Sequence, residues 1–340
     1  MSRAWNVAVL GATGLVGEML LTVLEERKFP VQELFPLASE RSAGKSVTFK
    51  GRAVPVLDAA QFDFSRVQLG FYSAGGAVSE IYAPKAAAAG CVVIDNTSQF
   101  RYEPDIPLVV PEVNAPAIAQ YRNRGIIANP NCSTIQMLLV LKPIHDAVGI
   151  ERINVATYQS VSGAGRKSVA ELAEQTAELL NGRPVETKGG LPQIAFNCVP
   201  QIDKFMDNGY TKEEMKMLWE TRKILGDETI RVNATAVRVP VFYGHSEALH
   251  IETRRRISAS EARALLARAP GVRVMDERKP GGYPTAVHEA ANHDTVYVGR
   301  IREDMSHEHG LDLWVVGDNV RKGAATNAIQ IAEILVREYL

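Results

Sequence analysis

Val7-Ala8-Val9-Leu10-Gly11-Ala12-Thr13-Gly14-Leu15-Val16-Gly17 is the stretch that decides the fold. Its first four residues form an unbroken apolar run, as in a strand buried on both faces of a parallel sheet. Three glycines follow at the spacing GxxGxxG, and an amphipathic pattern continues from Leu15 to about Glu26. Strand, glycine turn and helix in that order describe a dinucleotide site. Glycines let the backbone approach a pyrophosphate, and the helix N-terminus offers N–H donors. Gly11, Thr13, Gly14, Leu15 and Val16 are the expected cradle. A glycine turn that only packs is the rival reading.

Working outward, Leu34-Phe35-Pro36-Leu37-Ala38 reads as the second strand, followed by Ser39-Glu40-Arg41-Ser42. An acidic residue here would accept a ribose 2′-OH, whereas Arg41 with Ser42 suits a 2′-phosphate. NADP is the favoured cofactor, and Glu40 leaves NAD open. Val67 to Tyr72 forms another strand pattern, ending in Ser73-Ala74-Gly75-Gly76, where small residues leave room for a cofactor. Val92-Val93-Ile94 leads to Asp95 and on to Arg101. Ligands of open α/β sheets bind at the carboxyl ends of strands, which makes Arg101 a candidate anion binder.

A second informative stretch is Asn129-Pro130-Asn131-Cys132-Ser133-Thr134. It joins the short run Ile126-Ile127-Ala128 to a helical pattern starting near Thr134 and running to about Ala147. A sulfur near a helix N-terminus is favoured as thiolate and can attack an acyl carbon, with backbone N–H groups holding the oxyanion. The plainer alternative is a small packing residue.

The 340 residues, with 46% hydrophobic and 23% charged side chains, suit a globular protein of two domains. A net charge of -1 argues against nucleic-acid and membrane-surface roles. No window approaches a membrane span. The N-terminal Met1 to Asn6 is expected to leave no room for a signal peptide. Cys91, Cys132 and Cys198 are too far apart for a disulfide framework or a zinc site and fit a reducing cytoplasm. Cys91 and Cys198 are expected to be packing residues. His307-Glu308-His309 lies in a polar stretch without metal-ligand spacing and is expected to be solvated loop, so no metal is expected.

Beyond Cys132 the periodicity changes. Ile153 to Ser162 alternates with period two, as in an antiparallel strand with one solvated face. Helices are expected over 167–180 and 212–225, and strands over 230–239, 248–256, 295–301 and 311–316. The whole is α/β: a Rossmann-type NADP-binding domain plus an α+β domain with a mixed, largely antiparallel sheet. The expected division is 1–130 for cofactor binding and 131–318 for catalysis and dimerisation. A C-terminal helix over 319–340 is expected to return to the first domain, with Asn319 near the cofactor.

These motifs, with Gln159-Ser160-Val161-Ser162-Gly163-Ala164-Gly165, Arg238-Val239-Pro240-Val241, Gly244-His245-Ser246-Glu247 and Asp318-Asn319-Val320-Arg321-Lys322-Gly323-Ala324, resemble aspartate-semialdehyde dehydrogenase over nearly the whole chain. The resemblance implies a reversible reaction. L-aspartate 4-semialdehyde, phosphate and NADP⁺ interconvert with 4-aspartyl phosphate and NADPH, supplying lysine, threonine, methionine and diaminopimelate biosynthesis. It implies Cys132 as nucleophile, His245 as acid/base and Gln159 as the residue orienting substrate or thioester. Arg238 would bind the substrate α-carboxylate and Glu213 its amino group. Arg101, Asn131 and Lys216 would bind phosphate. Ser73, Ser162, Gly163 and Asn319 complete the expected cofactor set, and a cytoplasmic homodimer is the family expectation.

The chemistry asks for these residue types. A thioester accepts hydride, since sulfur is both a good nucleophile and a good leaving group. A guanidinium pairs a carboxylate through two parallel bonds. The plainer alternatives are a turn histidine for His245, a structural salt bridge for Arg238, and an i,i+3 surface pair for Glu213 and Lys216. N-acetyl-glutamyl-phosphate reductase is the enzyme alternative, but it usually has glycine before the cysteine and an aromatic after it, where Asn131 and Ser133 stand here. The alternative from another class is a non-catalytic paralogue, against which Cys132, Gln159, Arg238 and His245 all count.

Overall fold

The computed structural model describes residues 3–187 and 192–340. Met1 and Ser2, part of the stretch expected to exclude a signal peptide, lie outside the described residues. Two compact units emerge, one formed by Met1–Asn131 with Gly323–Leu340 and the other by Cys132–Lys322.

The first unit runs β1 (Trp5–Leu10), α1 (Leu15–Glu26), β2 (Val31–Ala38), the hairpin β3 (Ser46–Phe49) and β4 (Arg52–Pro55), and β5 (Leu57–Asp58). It continues through β6 (Leu69–Tyr72), α2 (Gly76–Ala88), β7 (Val92–Asp95), α3 (Pro111–Asn114) and β8 (Ile126–Ala128). Six strands form one sheet in the order β5-β2-β1-β6-β7-β8, every pair parallel. Val7, Ala8, Val9 and Leu10 are buried, as their unbroken apolar run requires. α1 buries Gly17, Leu20, Leu21 and Leu24, the i, i+3, i+4, i+7 stripe of an amphipathic helix.

The second unit runs α4 (Cys132–Val148), β9 (Ile150–Gln159), α5 (Arg166–Leu180), α6 (Lys212–Leu225), β10 (Arg231–Arg238), β11 (His245–Thr253), α7 (Ala259–Leu266), β12 (Val272–Val274), β13 (Val296–Glu303) and β14 (Gly310–Gly317). Its six-stranded sheet has the order β10-β9-β11-β14-β13-β12. It is mixed: β9–β10 and β12–β13 are parallel, the other three pairs antiparallel. β9 pairs antiparallel with β11, as expected, and parallel with β10 on its other side. The interposed helices α5 and α6 carry the chain back before β10 begins, which permits a parallel pairing on that side. α4 is buried from Ser133 to Leu141, hence its nearly continuous apolar sequence.

The expected C-terminal helix begins as a π-helical turn over Arg321–Ala325 and continues as α8 (Thr326–Glu338). Asp318 stands at its head. Its carboxylate accepts from the N–H groups of Val320 and Arg321, as a helix cap does, and from Asn292 N. α8 buries Ala328, Ile331, Ala332 and Leu335 in the same core as Val7, Leu20, Leu24 and Phe71 of the first unit. Among the described residues no helix is long and apolar enough to cross a membrane.

Candidate active site

In the first unit the nucleotide turn is shaped by missing side chains. Gly11 has φ +89°, and a Cβ there would stand 3.0 Å from Ala74 N and from the Ser73 carbonyl carbon. A Cβ at Gly17 would lie 2.1 Å from Gly11 O. Gly14 forms the N-cap of α1 and supplies no side-chain hydrogen bond. The helix N-terminus is left without a capping side chain, beside a turn to which Gly11 and Gly14 bring no side chain. That arrangement fits a pyrophosphate. Ser73 anchors the neighbouring strand end, its N–H donating to Leu10 O at 2.9 Å. Arg41 and Ser42 occupy a short 3₁₀ turn after β2, the strand beside β1, with Arg41 exposed. They stand where a ribose substituent would be read.

Also in the first unit, Arg101 is 6% exposed and donates from Nε to Asn129 O and from Nη2 to Asn96 O, both at 2.9 Å. Asn129 in turn donates to the Asn96 side chain and accepts from Asn327 Nδ2 at 2.7 Å. Asn131 is buried. Asn129 and Asn96 were not anticipated as site residues; one opens the quoted cysteine motif and the other follows a strand, and neither is charged.

The second unit gathers most of the other expected residues. Cys132 opens α4 and is partly exposed. Gln159 ends β9 and is buried. Its Nε2 donates to Ser133 Oγ at 3.0 Å, to Thr157 Oγ1 at 3.3 Å and to Glu213 Oε1 at 3.3 Å. Glu213, in the first turn of α6, accepts from Lys216 Nζ at 2.8 Å, and the same ammonium reaches Asp203 Oδ2 at 3.0 Å. Burial works against the Lys216 charge, but Glu213 and Asp203 outweigh it and hold the ammonium above its ordinary value. The pair is thus no free surface pair: Lys216 is largely buried and doubly bridged.

Arg238 ends β10, with Nη1 donating to Ser160 O at 2.7 Å. Burial draws the guanidinium below its ordinary value while Glu213 and Cys132 pull the other way. His245 opens β11 at 0% exposure. Its Nδ1 accepts from Ser160 N at 3.1 Å, and its Nε2 has no hydrogen-bond partner. Burial first, then the Arg238 charge, push the imidazole down to about 3, against an opposing pull from Glu213. His245 is therefore neutral at physiological pH. The missing side chain at Gly163 keeps the space beside it open, since a Cβ there would meet Arg238 Nη1 at 3.2 Å and His245 Nε2 at 3.3 Å.

Ser162 and Asn319, expected at the cofactor, are tied in this unit into a buried cluster around His245. Asn319 Oδ1 accepts from Ser160 Oγ at 3.0 Å, Ser162 Oγ at 3.1 Å and Gly244 N at 3.0 Å. Ser160 and Asp203 escaped the sequence reading. Ser160 sits inside a quoted motif, whereas Asp203 has no local signal. Cys198 corrects an expectation: it is exposed, because the chain around it is irregular and Phe196 beside it takes the left-handed φ of 59°. Cys91 is buried, and burial pushes its thiol up to about 12. Among the described residues no group of three or more His, Cys, Asp or Glu side chains could hold a metal ion.

Residues 6–121 match the family model described as semialdehyde dehydrogenase, NAD binding domain, and residues 141–322 that described as semialdehyde dehydrogenase, dimerisation domain. The parallel sheet with its glycine turn and the mixed-sheet unit carrying a cysteine at a helix N-terminus thus define a nicotinamide-dependent oxidoreductase acting on an aldehyde. Aspartate-semialdehyde dehydrogenase of Legionella pneumophila is 65% identical over 340 residues, which covers 100% of this chain and 98% of that protein. Its counterpart in Shewanella violacea is 63% identical over 339 residues and covers 100% of both. The crystal structure of aspartate semialdehyde dehydrogenase II from Vibrio cholerae complexed with ASA aligns with a TM-score of 0.97 at 62% identity, covering 100% of each chain. The chain belongs to the aspartate-semialdehyde dehydrogenase family.

Proposed function

We propose that the chain works with NADP and phosphate, reversibly converting 4-aspartyl phosphate to L-aspartate 4-semialdehyde through a thioester on Cys132. The observation that carries this is the grouping in one unit of a cysteine at the α4 N-terminus with the Gln159–Glu213–Lys216 chain, Arg238 and a neutral, unpartnered His245 Nε2. The helix N-terminus favours the Cys132 thiolate. That thiolate attacks the acyl carbon, and the C–O bond to phosphate breaks with its electrons leaving on phosphate. A bound nicotinamide supplies or accepts the hydride. Once the thioester is reduced, the C–S bond breaks, the aldehyde leaves and Cys132 returns to thiolate. His245 Nε2 handles the proton at the substrate oxygen. Gln159, fixed by Ser133, Thr157 and Glu213, orients the acyl group.

Arg238 pairs with the α-carboxylate, and Glu213 meets the amino group while steadying Lys216. Arg101, Asn131 and Lys216 supply the phosphate site. Gly11, Thr13, Gly14, Leu15, Val16, Ser73, Arg41 and Ser42 hold the dinucleotide, with Ser162, Gly163 and Asn319 serving its nicotinamide end. Residues 1–130 with the C-terminal helix would then form the NADP-binding domain, and 131–318 the catalytic and dimerisation domain. One face of the second sheet supports a homodimer. A hollow of about 870 Å³ there is lined by exposed Tyr283 and Val287 and by Trp314, against which exposed Tyr158 packs. Such an enzyme would act in the cytoplasm, in amino-acid biosynthesis.

The test is NADP⁺ reduction by aspartate semialdehyde with and without phosphate, alongside Cys132→Ala. Phosphate-dependent turnover that vanishes in the variant is the expected result. Turnover independent of phosphate, or retained by the variant, would reject the thioester route.

A further inference from the structure

β9 and β11 run antiparallel with Ser246 opposite Tyr158 and Glu247 opposite Thr157. Alternation therefore sends Gln159, Thr157, His245 and Glu247 to one face of the sheet. All four are buried. The next rungs on that face, Leu249 with Val155 and Ile251 with Ile153, are apolar. Glu247 is thus a carboxyl at 0% exposure, set between the rung that carries His245 and a hydrophobic floor.

Neither Glu247 oxygen has a hydrogen-bond partner, although the Gln136 amide from α4 faces the carboxyl. Gln136 donates from Nε2 to the His245 carbonyl oxygen at 3.4 Å. Room for that amide is kept by Gly317, where a Cβ would stand 2.8 Å from Gln136 Oε1. An ionised carboxylate in such a place, with no ion partner, is strongly disfavoured. It would also be acceptor-only and could use nothing but the second N–H of the Gln136 amide, the first being given to His245 O. A protonated carboxyl has both a donor and an acceptor to offer the same amide. Burial raises the Glu247 carboxyl well above its ordinary value.

Among the described residues none forms an ion pair with Glu247, and His245, two positions away on the same face, is neutral. β9 contributes Thr157 opposite and β14 Val315. On α4 the charged or titratable residues are Cys132, four positions before Gln136, and Lys142, His145 and Asp146, six or more positions beyond it. The turn 286–290 carries exposed His288, and Glu289, which is bonded to Thr285.

We propose that Glu247 is a positioning residue held as the neutral acid, which keeps Gln136 against the main chain of His245 and so sets the imidazole for its task. Its catalytic consequence rests on the function proposed above. The test compares wild type, Glu247→Gln, Glu247→Leu, Gln136→Leu and the Glu247→Leu/Gln136→Leu double variant in phosphate-dependent NADP⁺ reduction across about pH 6 to 9. Glu247→Gln, uncharged and isosteric, is expected to keep kcat and both pH limbs within about twofold of wild type. Glu247→Leu and Gln136→Leu are each expected to lower kcat about tenfold with the KM for semialdehyde unchanged, and the double variant to fall no further.

A Glu247→Gln enzyme as slow as Glu247→Leu, or with a displaced acid limb, would show that the ionised form matters and overturn the proposal. Wild-type kcat in Glu247→Leu would reduce Glu247 to filler. Infrared difference spectra decide the protonation state without turnover. The carbonyl band of a protonated carboxyl should be present in wild type and lost in Glu247→Gln, and its absence from wild type overturns the proposal even if Glu247→Leu does not fold. Should wild type fail to turn over semialdehyde, the functional assignment falls while the infrared band still judges the neutral acid.

Discussion

A hydrogen atom at position 163 does what no side chain could, since a Cβ there would press on Arg238 Nη1 and His245 Nε2 at 3.2 and 3.3 Å. Lys216 illustrates the opposite device, a cation kept by being shared. With Glu213 and Asp203 both bonded to it, its position is set before any anion arrives. Lys216→Ala is expected to raise the KM for phosphate about tenfold or more while changing that for semialdehyde far less, as steady-state kinetics with each substrate varied would show. An unchanged phosphate KM would remove Lys216 from the phosphate site. Arg41 is exposed on its 3₁₀ turn. Arg41→Ala should weaken NADP binding by roughly 1.5–3 kcal/mol, the worth of a charge-assisted bond, and leave NAD nearly unaffected. Titration calorimetry with both nucleotides checks this, and equal losses would count against Arg41 as the reader of the 2′-phosphate.

Among the elements, α6 does most to place the substrate end of the site. Thr211 and Glu214 form a reciprocal capping box at its start, and Gly226 closes it in the left-handed conformation. Glu214 has a second task, accepting from Ala236 N of β10 with its other oxygen. The cap therefore ties the first turn of α6, which carries Glu213, to the strand that ends in Arg238. Thr211→Ala is expected to cost about 1 kcal/mol of stability and to raise the KM for semialdehyde with little change in nucleotide affinity. Urea unfolding and kinetics read the two effects, and a stability loss without a KM change would make the cap purely structural. The bounds of α6 follow from local signals: a Thr-x-x-Glu start and a glycine stop. At the C-terminal helix Asp318 likewise gives a local start, accepting from Val320 N and Arg321 N, but no spacing marks the π-helical turn Arg321–Ala325 that precedes α8.

For the whole molecule, the open face of the second sheet bears on assembly. Tyr158 and Trp314 pack there in a tilted pair with ring centroids 5.6 Å apart. Tyr158→Asp, which would bury a charge in a subunit interface, should turn a dimer into monomers in analytical ultracentrifugation. A dimer of undiminished affinity would place the interface elsewhere. Two buried groups also make stability depend on pH in opposite senses. His245 lies below its ordinary value of 6.5, so the unfolded chain binds the proton first and stability falls as pH drops from 6.5 toward about 3. Glu247 lies above its ordinary value of 4.5, so the native state keeps a proton the unfolded chain loses, and stability declines as pH rises beyond 4.5. Each contributes a slope of at most about 1.4 kcal/mol per pH unit. Glu247→Gln should therefore be more stable than wild type at pH 8, measured by urea unfolding. Equal or lower stability would mean that the native carboxyl is ionised.

What the sequence determined alone was whatever depends on neighbours in the chain. The buried parallel strand, the glycine turn, the amphipathic α1 and the cysteine at the head of α4 are all statements about short-range spacing and backbone freedom, and they led to the family. The tertiary structure decided which polar groups meet. Asp203 reaches Lys216 across 13 positions, Asn319 reaches Ser160 across 159, and Ser160 holds His245 from 85 positions away. Glu247 shows the difference most clearly. Read along the chain, it is the last residue of the Gly244-His245-Ser246-Glu247 motif, with nothing local to mark it as buried. Only the antiparallel register of β11 against β9, with α4 laid over them, seals it from water beside Gln136. Strand pairing and burial are set by the whole chain, and no local spacing records them.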